Sequence, residues 1–394
     1  MRNPRATADP RLRRALAALC VTEITSWGIL YYTLPVAAQD ITDTEGWSNG
    51  QVFTAFSAGL LLSAVVGAAA GRLLDRHGPR RVMTIGSVIG VLGLLLVAKA
   101  PNLPVFFGAW LVIGLAQSAT LYPPAFAAVT RWYGDARTWP LTAVTLFGGL
   151  ASTVFAPLTD VLVGDLGWRD AYLVLALVLA VVTVPLHALL LTPPWPGHAT
   201  DIPAAGRRRV VKLLIRGRRF LSLQVSVTLM GLAMYAVTLN LIPLLTDRGF
   251  GHAAAAVVFG LVGAGQIAGR IAFAVLPAGA SPHVRTIAIG AAAVICLAVL
   301  AVLPGPQAAL VVVSVLTGAV RGAYTLLQAT AVSDRWGTRY FASLNGAFTV
   351  PITASIALAP AVGALATDLL GSHTAATLWF AGLAAVGLVI GRRA

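Results

Sequence analysis

The sequence predicts an all-α integral membrane protein: twelve transmembrane helices in two pseudo-symmetric halves of six. Three observations carry this. Of the 394 residues, 58 % are hydrophobic and 11 % charged, whereas a soluble domain carries about 25 % charged residues to cover its surface. Runs such as 287–303 are apolar throughout, which suits a helix in lipid; a β-barrel would alternate apolar and polar positions in segments of about ten residues. The Lys and Arg residues fall between the apolar runs. The same composition excludes a disordered chain, a coiled coil and a collagen-like fibre.

A hydrocarbon core about 30 Å thick takes about 20 apolar residues per crossing helix. On that measure the spans fall at approximately 15–38, 49–71, 83–100, 104–129, 139–161, 169–191, 220–245, 253–276, 284–303, 308–332, 341–366 and 374–391. The basic N-terminus runs into a full-length first span, not a short apolar stretch with a small-residue cleavage site, so no cleaved signal is expected. With the N-terminus in the cytoplasm, 24 of the 28 Lys and Arg residues lie on cytoplasmic segments and helix ends. Lys99, Arg169 and Arg248 lie on the other side, and Arg321 lies inside span ten. That bias predicts both termini in the cytoplasm. Orientation and contact with membrane lipid headgroups then account for the net charge of +14, and nucleic acid is not an expected partner. Cys20 and Cys296 sit in apolar runs and read as packing residues, with neither a disulfide nor a metal expected.

The centre of the chain differs in kind. Pro193, Pro194, Trp195 and Pro196 stop a helix, and Arg207, Arg208, Arg209, Lys212, Arg216, Arg218 and Arg219 follow. The expected organisation is an N-terminal half (1–191), a basic cytoplasmic linker (192–219) and a C-terminal half (220–394). A weak repeat supports it. Gly71-Arg72-Leu73-Leu74-Asp75 ends the second span of one half, and Gly269-Arg270-Ile271-Ala272-Phe273 ends the second span of the other. Paired six-helix halves are the pattern of a carrier built from repeats, with its site between them at mid-membrane.

The sharpest motif is Gly71-Arg72-Leu73-Leu74-Asp75-Arg76-His77-Gly78-Pro79-Arg80-Arg81. Two helices must reverse across a very short loop; Gly78 can take the positive φ this needs, and Pro79 is pre-set to start a helix. Arg80 and Arg81 can face phosphate headgroups. Asp75 stands out in a run of positive charge and calls for a specific partner, unless the segment is a solvated turn that only sets topology. The pattern resembles the signature loop of the major facilitator superfamily. The resemblance implies a conformational latch on the cytoplasmic side formed by Gly71, Asp75, Arg76, Gly78 and Arg80, with Arg131 a candidate partner of Asp75.

Gly167-Trp168-Arg169 before span six is similar to a Gly-Trp-Arg common in that superfamily. Span four, with Gly114-Leu115-Ala116-Gln117 and Leu121-Tyr122-Pro123-Pro124, lacks the embedded Arg of many drug/proton antiporters. Together with Thr130-Arg131-Trp132-Tyr133, Gly148-Gly149 and Phe155-Ala156-Pro157-Leu158, it is more similar to the monocarboxylate-porter branch. Two positions depart from that branch: Val36, not a Lys, follows Pro35, and Gln266, not an Asp, precedes Arg270 by four residues. Arg270 fits the branch's substrate-carboxylate role, while its proton-coupling acid is missing from this place.

Ions inside a bilayer cost about 2.5–3.5 kcal/mol or more and tend to mark function. Arg321 is the fourteenth of 25 residues in span ten, within Thr317-Gly318-Ala319-Val320-Arg321-Gly322-Ala323, whose glycines let a helix or a ligand come close. It reads as a substrate site or as a structural pair. Arg270 lies about 9 Å from the end of its span and either faces a cavity or snorkels to headgroups. Glu23, ninth in span one, is a proton carrier or the partner of a buried cation. Tyr31, Tyr122 and Tyr324 share spans with Glu23, the double proline and Arg321, and are the aromatic candidates for a cavity lining. Pro35, Pro123, Pro124, Pro157, Pro243, Pro351 and Pro360 can bend helices.

No His-Glu-x-x-His or phosphate-loop pattern occurs, so neither an enzyme nor a cofactor is expected. The reading is a monomeric secondary active transporter working by alternating access. Two buried cations against one acid favour a small organic anion, most simply a carboxylate, with a proton as the candidate coupling ion. Substrate-binding candidates are Arg321, Arg270, Gln266, Tyr31, Tyr122 and Tyr324, with Glu23 for the proton. The rivals are an efflux pump for drugs or hydrophobic compounds and a membrane receptor that binds without transport. Arg outnumbers Lys 26 to 2, a GC-rich coding bias from which a bacterial inner membrane is expected.

Overall fold

The structure, a computed structural model, describes residues 9–136, 138–195, 212–275, 281–337 and 341–393. Residues 196–211 of the expected linker and the side chain of Asp75 lie outside this description. The chain forms two compact units, Met1–Ala199 and Thr200–Ala394.

In the first unit, α1 (Pro10–Trp27) starts on Asp9, which accepts the N–H of Arg11 at 2.8 Å, with Pro10 in the first turn. A π-helical turn, Gly28–Tyr32, follows, and α2 (Thr33–Glu45) completes span one. Spans two and three are one run, α3 (Asn49–Ala98), broken at Gly78 with φ 76° and ψ 167°, a conformation closed to residues with a Cβ. The charged motif therefore winds on as helix on either side of one hinge residue, where the apolar runs alone suggest a loop of about ten residues. Arginines placed on a helix end still reach headgroups with their long side chains. Span four is α4 (Leu103–Thr120) and α5 (Tyr122–Tyr133), interrupted at Leu121 ahead of the two prolines. α6 (Thr138–Gly149) and α7 (Ala151–Leu190) carry spans five and six, with α7 broken at Gly167, φ 77°.

The second unit holds α8 (Arg218–Leu239), α9 (Leu241–Thr246), α10 (His252–Val275) and α11 (Pro282–Val302). α12 (Gln307–Thr330), α13 (Ser333–Trp336), α14 (Phe341–Leu370) and α15 (His373–Gly391) follow. Among the described residues, eleven helical stretches are long and apolar enough to cross a membrane, and one of them, Trp139–Leu190, has 52 residues. That is more than twice one crossing, and it contains the break at Gly167; counted as two, it gives twelve spans. Large apolar side chains face outward, among them Val65, Leu177, Leu189 and Leu369, as lipid contact permits.

Small residues set the closest helix contacts. α10 and α12 interlock through Gly265 and Gly269 on one helix and Gly318 and Gly322 on the other. A Cβ on any of the four would collide with backbone of the facing helix: Val315, Ala319, Val262 and Gln266 respectively. Spans two and four meet in the same way at Gly59 and Gly114. Without a hydrophobic force between helices in lipid, close backbone approach supplies the packing.

The repeat is plainer in structure than in sequence. Asp40 at the end of span one accepts the backbone N–H of Trp168 at 2.9 Å, and Asp247 after α9 lies 2.6 Å from Nδ1 of His373. Trp168 and His373 each open the last span of their unit after a left-handed glycine, Gly167 with φ 77° or, two residues earlier, Gly371 with φ 71°.

Candidate functional site

In the second unit, α12 holds Arg321 with 2 % of its surface exposed. Its guanidinium lies over the ring of Tyr235, Cζ 3.9 Å from the centroid, and Nη1 donates to Thr238 Oγ1 at 3.0 Å. Both contacts come from α8, and both groups are neutral. Gly318 and Gly322 on either side of Arg321 admit the backbone of α10, as the sequence allowed. α10 brings Gln266 and Arg270 alongside. Both are buried, at 4 % and 8 % exposure, whereas Arg72, the repeat counterpart of Arg270, is exposed. Gln266 Nε2 has no hydrogen-bond partner among the described residues. Tyr324, one turn on from Arg321, is fully buried. Its hydroxyl donates to the Val227 carbonyl at 2.7 Å and its ring end covers Gly231, so it ties α12 to α8.

In the first unit, Glu23 is fully buried on α1, and the polar group beside its carboxyl is the indole N–H of Trp27, one turn on. The Trp27 ring starts a row of touching aromatics: its centroid is 5.1 Å from Tyr31 and 4.9 Å from Tyr122, Tyr31 lies 5.4 Å from Phe56, and Tyr122 stacks on Phe126. The π turn begins immediately after Trp27. Such a turn shifts carbonyls out of the regular ladder, and it recurs at functional sites. Here Gln117 Nε2 on α4 donates to the Leu30 carbonyl at 2.8 Å, and Thr33 Oγ1 donates to the Gly28 carbonyl at 3.2 Å. Neither the turn nor the role of Gln117 was legible in the sequence, because a π turn has no composition of its own.

Around the Gly78 hinge, Gly71, Arg76 and Arg80 are exposed, and Arg80 Nε donates to the Ala188 carbonyl at 2.6 Å. Trp195 takes the central place. Its side chain would stand 3.3 Å from a Cβ on Gly78, and its ring carries the Arg131 guanidinium at 4.2 Å. Sequence reading used Trp195 only as part of a helix stop. An aromatic residue set among prolines beside the hinge motif was the available signal.

Residues 16–360, most of the chain, match the family model of the Major Facilitator Superfamily. The chain belongs to this superfamily. It is accordingly a multi-pass membrane transporter for a small-molecule substrate, and not an enzyme. Among curated proteins it is 26 % identical over 368 residues to Monocarboxylate transporter 13 of Rattus norvegicus, covering 91 % of this chain and 82 % of that protein. It is 28 % identical over 263 residues to Monocarboxylate transporter 11 of Homo sapiens, covering 65 % of this chain and about half, 54 %, of the human protein. A shorter match, 27 % over 146 residues, joins it to the Probable sulfoacetate transporter SauU of Cupriavidus necator, covering 37 % of this chain and 34 % of that one. Among solved structures, the nucleoside transporter NupG superposes with TM-score 0.77 at 15 % identity over 96 % of this chain and 98 % of its own. A bacterial homolog of the human lysosomal transporter Spinster superposes with TM-score 0.74 at 14 % identity over 98 % of each chain. These two share the fold of the present chain.

Proposed function

We propose that this superfamily member moves a small organic anion, most simply a carboxylate, by alternating access, with Arg321 as the anion site. The observation that carries the reading is the guanidinium of Arg321, buried at mid-span against a tyrosine ring and a threonine hydroxyl. A guanidinium keeps its proton at any working pH and presents a planar fork that matches a carboxylate through two parallel hydrogen bonds. The proposed second donor is Gln266, whose buried amide lies on the helix that touches Gly322. Arg270, one turn further, adds positive charge. The names of the relatives support the substrate class, because monocarboxylate and sulfoacetate are both small organic oxyanions.

Within the first unit, Glu23 is the proposed proton carrier, since its carboxyl is fully buried on a membrane-crossing helix. Tyr31 and Tyr122 are the proposed aromatic contacts. Gly71, Asp75, Arg76, Gly78, Arg80 and Arg131 form the proposed conformational latch. The protein is assigned to a bacterial inner membrane as a monomer with both termini cytoplasmic, on the charge bias of the sequence.

Purified protein in proteoliposomes tests this with a panel of short carboxylates, sulfonates and cationic dyes, scored by uptake. Saturable carboxylate or sulfonate uptake enhanced by a proton gradient is expected. Transport of the dyes with none of the anions would overturn it in favour of a drug pump, and binding without uptake would favour a receptor.

A further inference from the structure

At one end of the second unit lies a cavity of about 440 Å³ whose walls carry Arg219, His283, Arg335, Arg392 and Arg393. No carboxylate lines it among the described residues. The neighbouring acid, Asp334, lies 3.9 Å from Arg285 outside the lining and also acts on Arg335. We propose that this cavity holds the phosphate of an anionic phospholipid headgroup.

The walls are all helix ends. Arg219 is in the first turn of α8, His283 in the first turn of α11, Arg335 follows α12, and Arg392 and Arg393 follow α15. The cavity therefore sits where the membrane-crossing parts of four helices stop, at headgroup level. Arg335 is fixed there: Nη2 donates to Thr286 Oγ1 at 2.9 Å and to the Pro282 carbonyl at 3.2 Å. Trp336 forms a further part of the wall, its ring 5.3 Å from that of Phe220, the kind of side chain that settles at a membrane interface. The N-terminus of the 21-residue helix α11 borders the same space and adds the positive end of its dipole.

A free phosphate would need the cations alone. A phospholipid also needs apolar surface for its chains, and that surface is present. Leu221, Val284 and Val389, within one turn of the basic positions on three of these helices, are exposed at 44 %, 54 % and 55 %. Basic pockets at the membrane surface bind anionic lipid headgroups by this combination.

The test compares purified wild type with Arg219→Gln/Arg392→Gln/Arg393→Gln, all exposed positions. Arg11→Gln/Arg13→Gln/Arg14→Gln removes the same charge from exposed positions of the first unit. Native mass spectrometry and thermal shift read the binding of phosphatidylglycerol, phosphatidylcholine and inorganic phosphate. Expected are retention of phosphatidylglycerol over phosphatidylcholine by wild type, no stabilisation by millimolar phosphate, and a roughly hundredfold loss of phosphatidylglycerol affinity in the second-unit triple variant, about fivefold per arginine. The first-unit variant should bind as wild type. Should the triple variant not fold, the single variants read the fivefold steps. Wild-type lipid affinity in the second-unit variants, or an equal loss in the first-unit variant, overturns the site. Stabilisation by inorganic phosphate to the same degree as by lipid overturns the lipid as its occupant.

Discussion

Replacing Gly322 by Ala is predicted to loosen the helix pair that carries the proposed anion site. A Cβ there would lie 2.7 Å from the carbonyl carbon of Gln266 and 2.8 Å from its Cα, where ordinary contact begins at 3.4 Å. Backbone cannot rotate away as a side chain can, so α10 and α12 must part by roughly 0.7 Å or more, in packing as dense as a crystal. Overpacking of this kind costs about 1–3 kcal/mol. The better helix propensity of Ala returns about 0.8–1 kcal/mol, leaving a net loss of up to about 2 kcal/mol. For a unit of this size each kcal/mol moves the melting temperature by about 2–4 °C, so a drop of up to about 8 °C is expected. Gly382, on α15, provides the control: a Cβ there meets nothing within 4 Å. Gly382→Ala should leave the melting temperature unchanged or raise it by up to about 4 °C. A thiol-reactive dye on the free cysteines, buried Cys20 and half-buried Cys296, reports the unfolding of each half in detergent. The reasoning about the glycine interlock is refuted if Gly322→Ala melts at or above wild type, or in step with Gly382→Ala. Because Gln266 and Arg270 ride on α10 and Arg321 on α12, anion affinity should fall with stability in this variant.

Other outcomes are expected. Glu23→Gln should abolish proton-driven accumulation while sparing exchange of substrate for substrate; accumulation against a gradient by that variant would remove Glu23 from the coupling role. Trp195→Ala strips a ring from Arg131 and from the Gly78 hinge, a contact of about 0.5–2 kcal/mol, and should change transport rate while insertion stays normal. Trp195→Phe should restore most of the rate, and wild-type turnover in Trp195→Ala would leave the contact without a role in the cycle. Cysteines introduced at Pro101 and Ala205 should differ in labelling by an impermeant reagent on intact cells, with position 101 reactive and 205 protected; the reverse pattern would invert the orientation.

Several of these residues were legible before the structure, and the reasons differ. Gly78 was predictable because a reversal between charged helix ends requires a positive φ, and it has one. The spacing of Gly318 and Gly322 announced a close approach without saying what approaches; the structure supplies α10. Arg270 could not be placed from sequence, since a long side chain near a span end can go either way, and its burial follows from the packing of α10. The direction of Tyr324 was not legible, because its position on the helix of Arg321 says nothing about it; its hydroxyl donates to the Val227 carbonyl. The π turn at Gly28–Tyr32 and the answering Gln117 are tertiary features, set by how span four meets span one. Composition counts residues and cannot register such a turn.

The central claim is that Arg321 binds the transported anion, and one measurement bears on it directly: carboxylate affinity and melting temperature determined on the same purified Arg321→Gln protein. Losing a charge-assisted pair in a dry site is worth roughly 2–5 kcal/mol, so the account predicts a folded variant whose anion affinity falls about thirtyfold or more, with Arg321→Lys intermediate. A stable Arg321→Gln protein that binds carboxylates as tightly as wild type would contradict it.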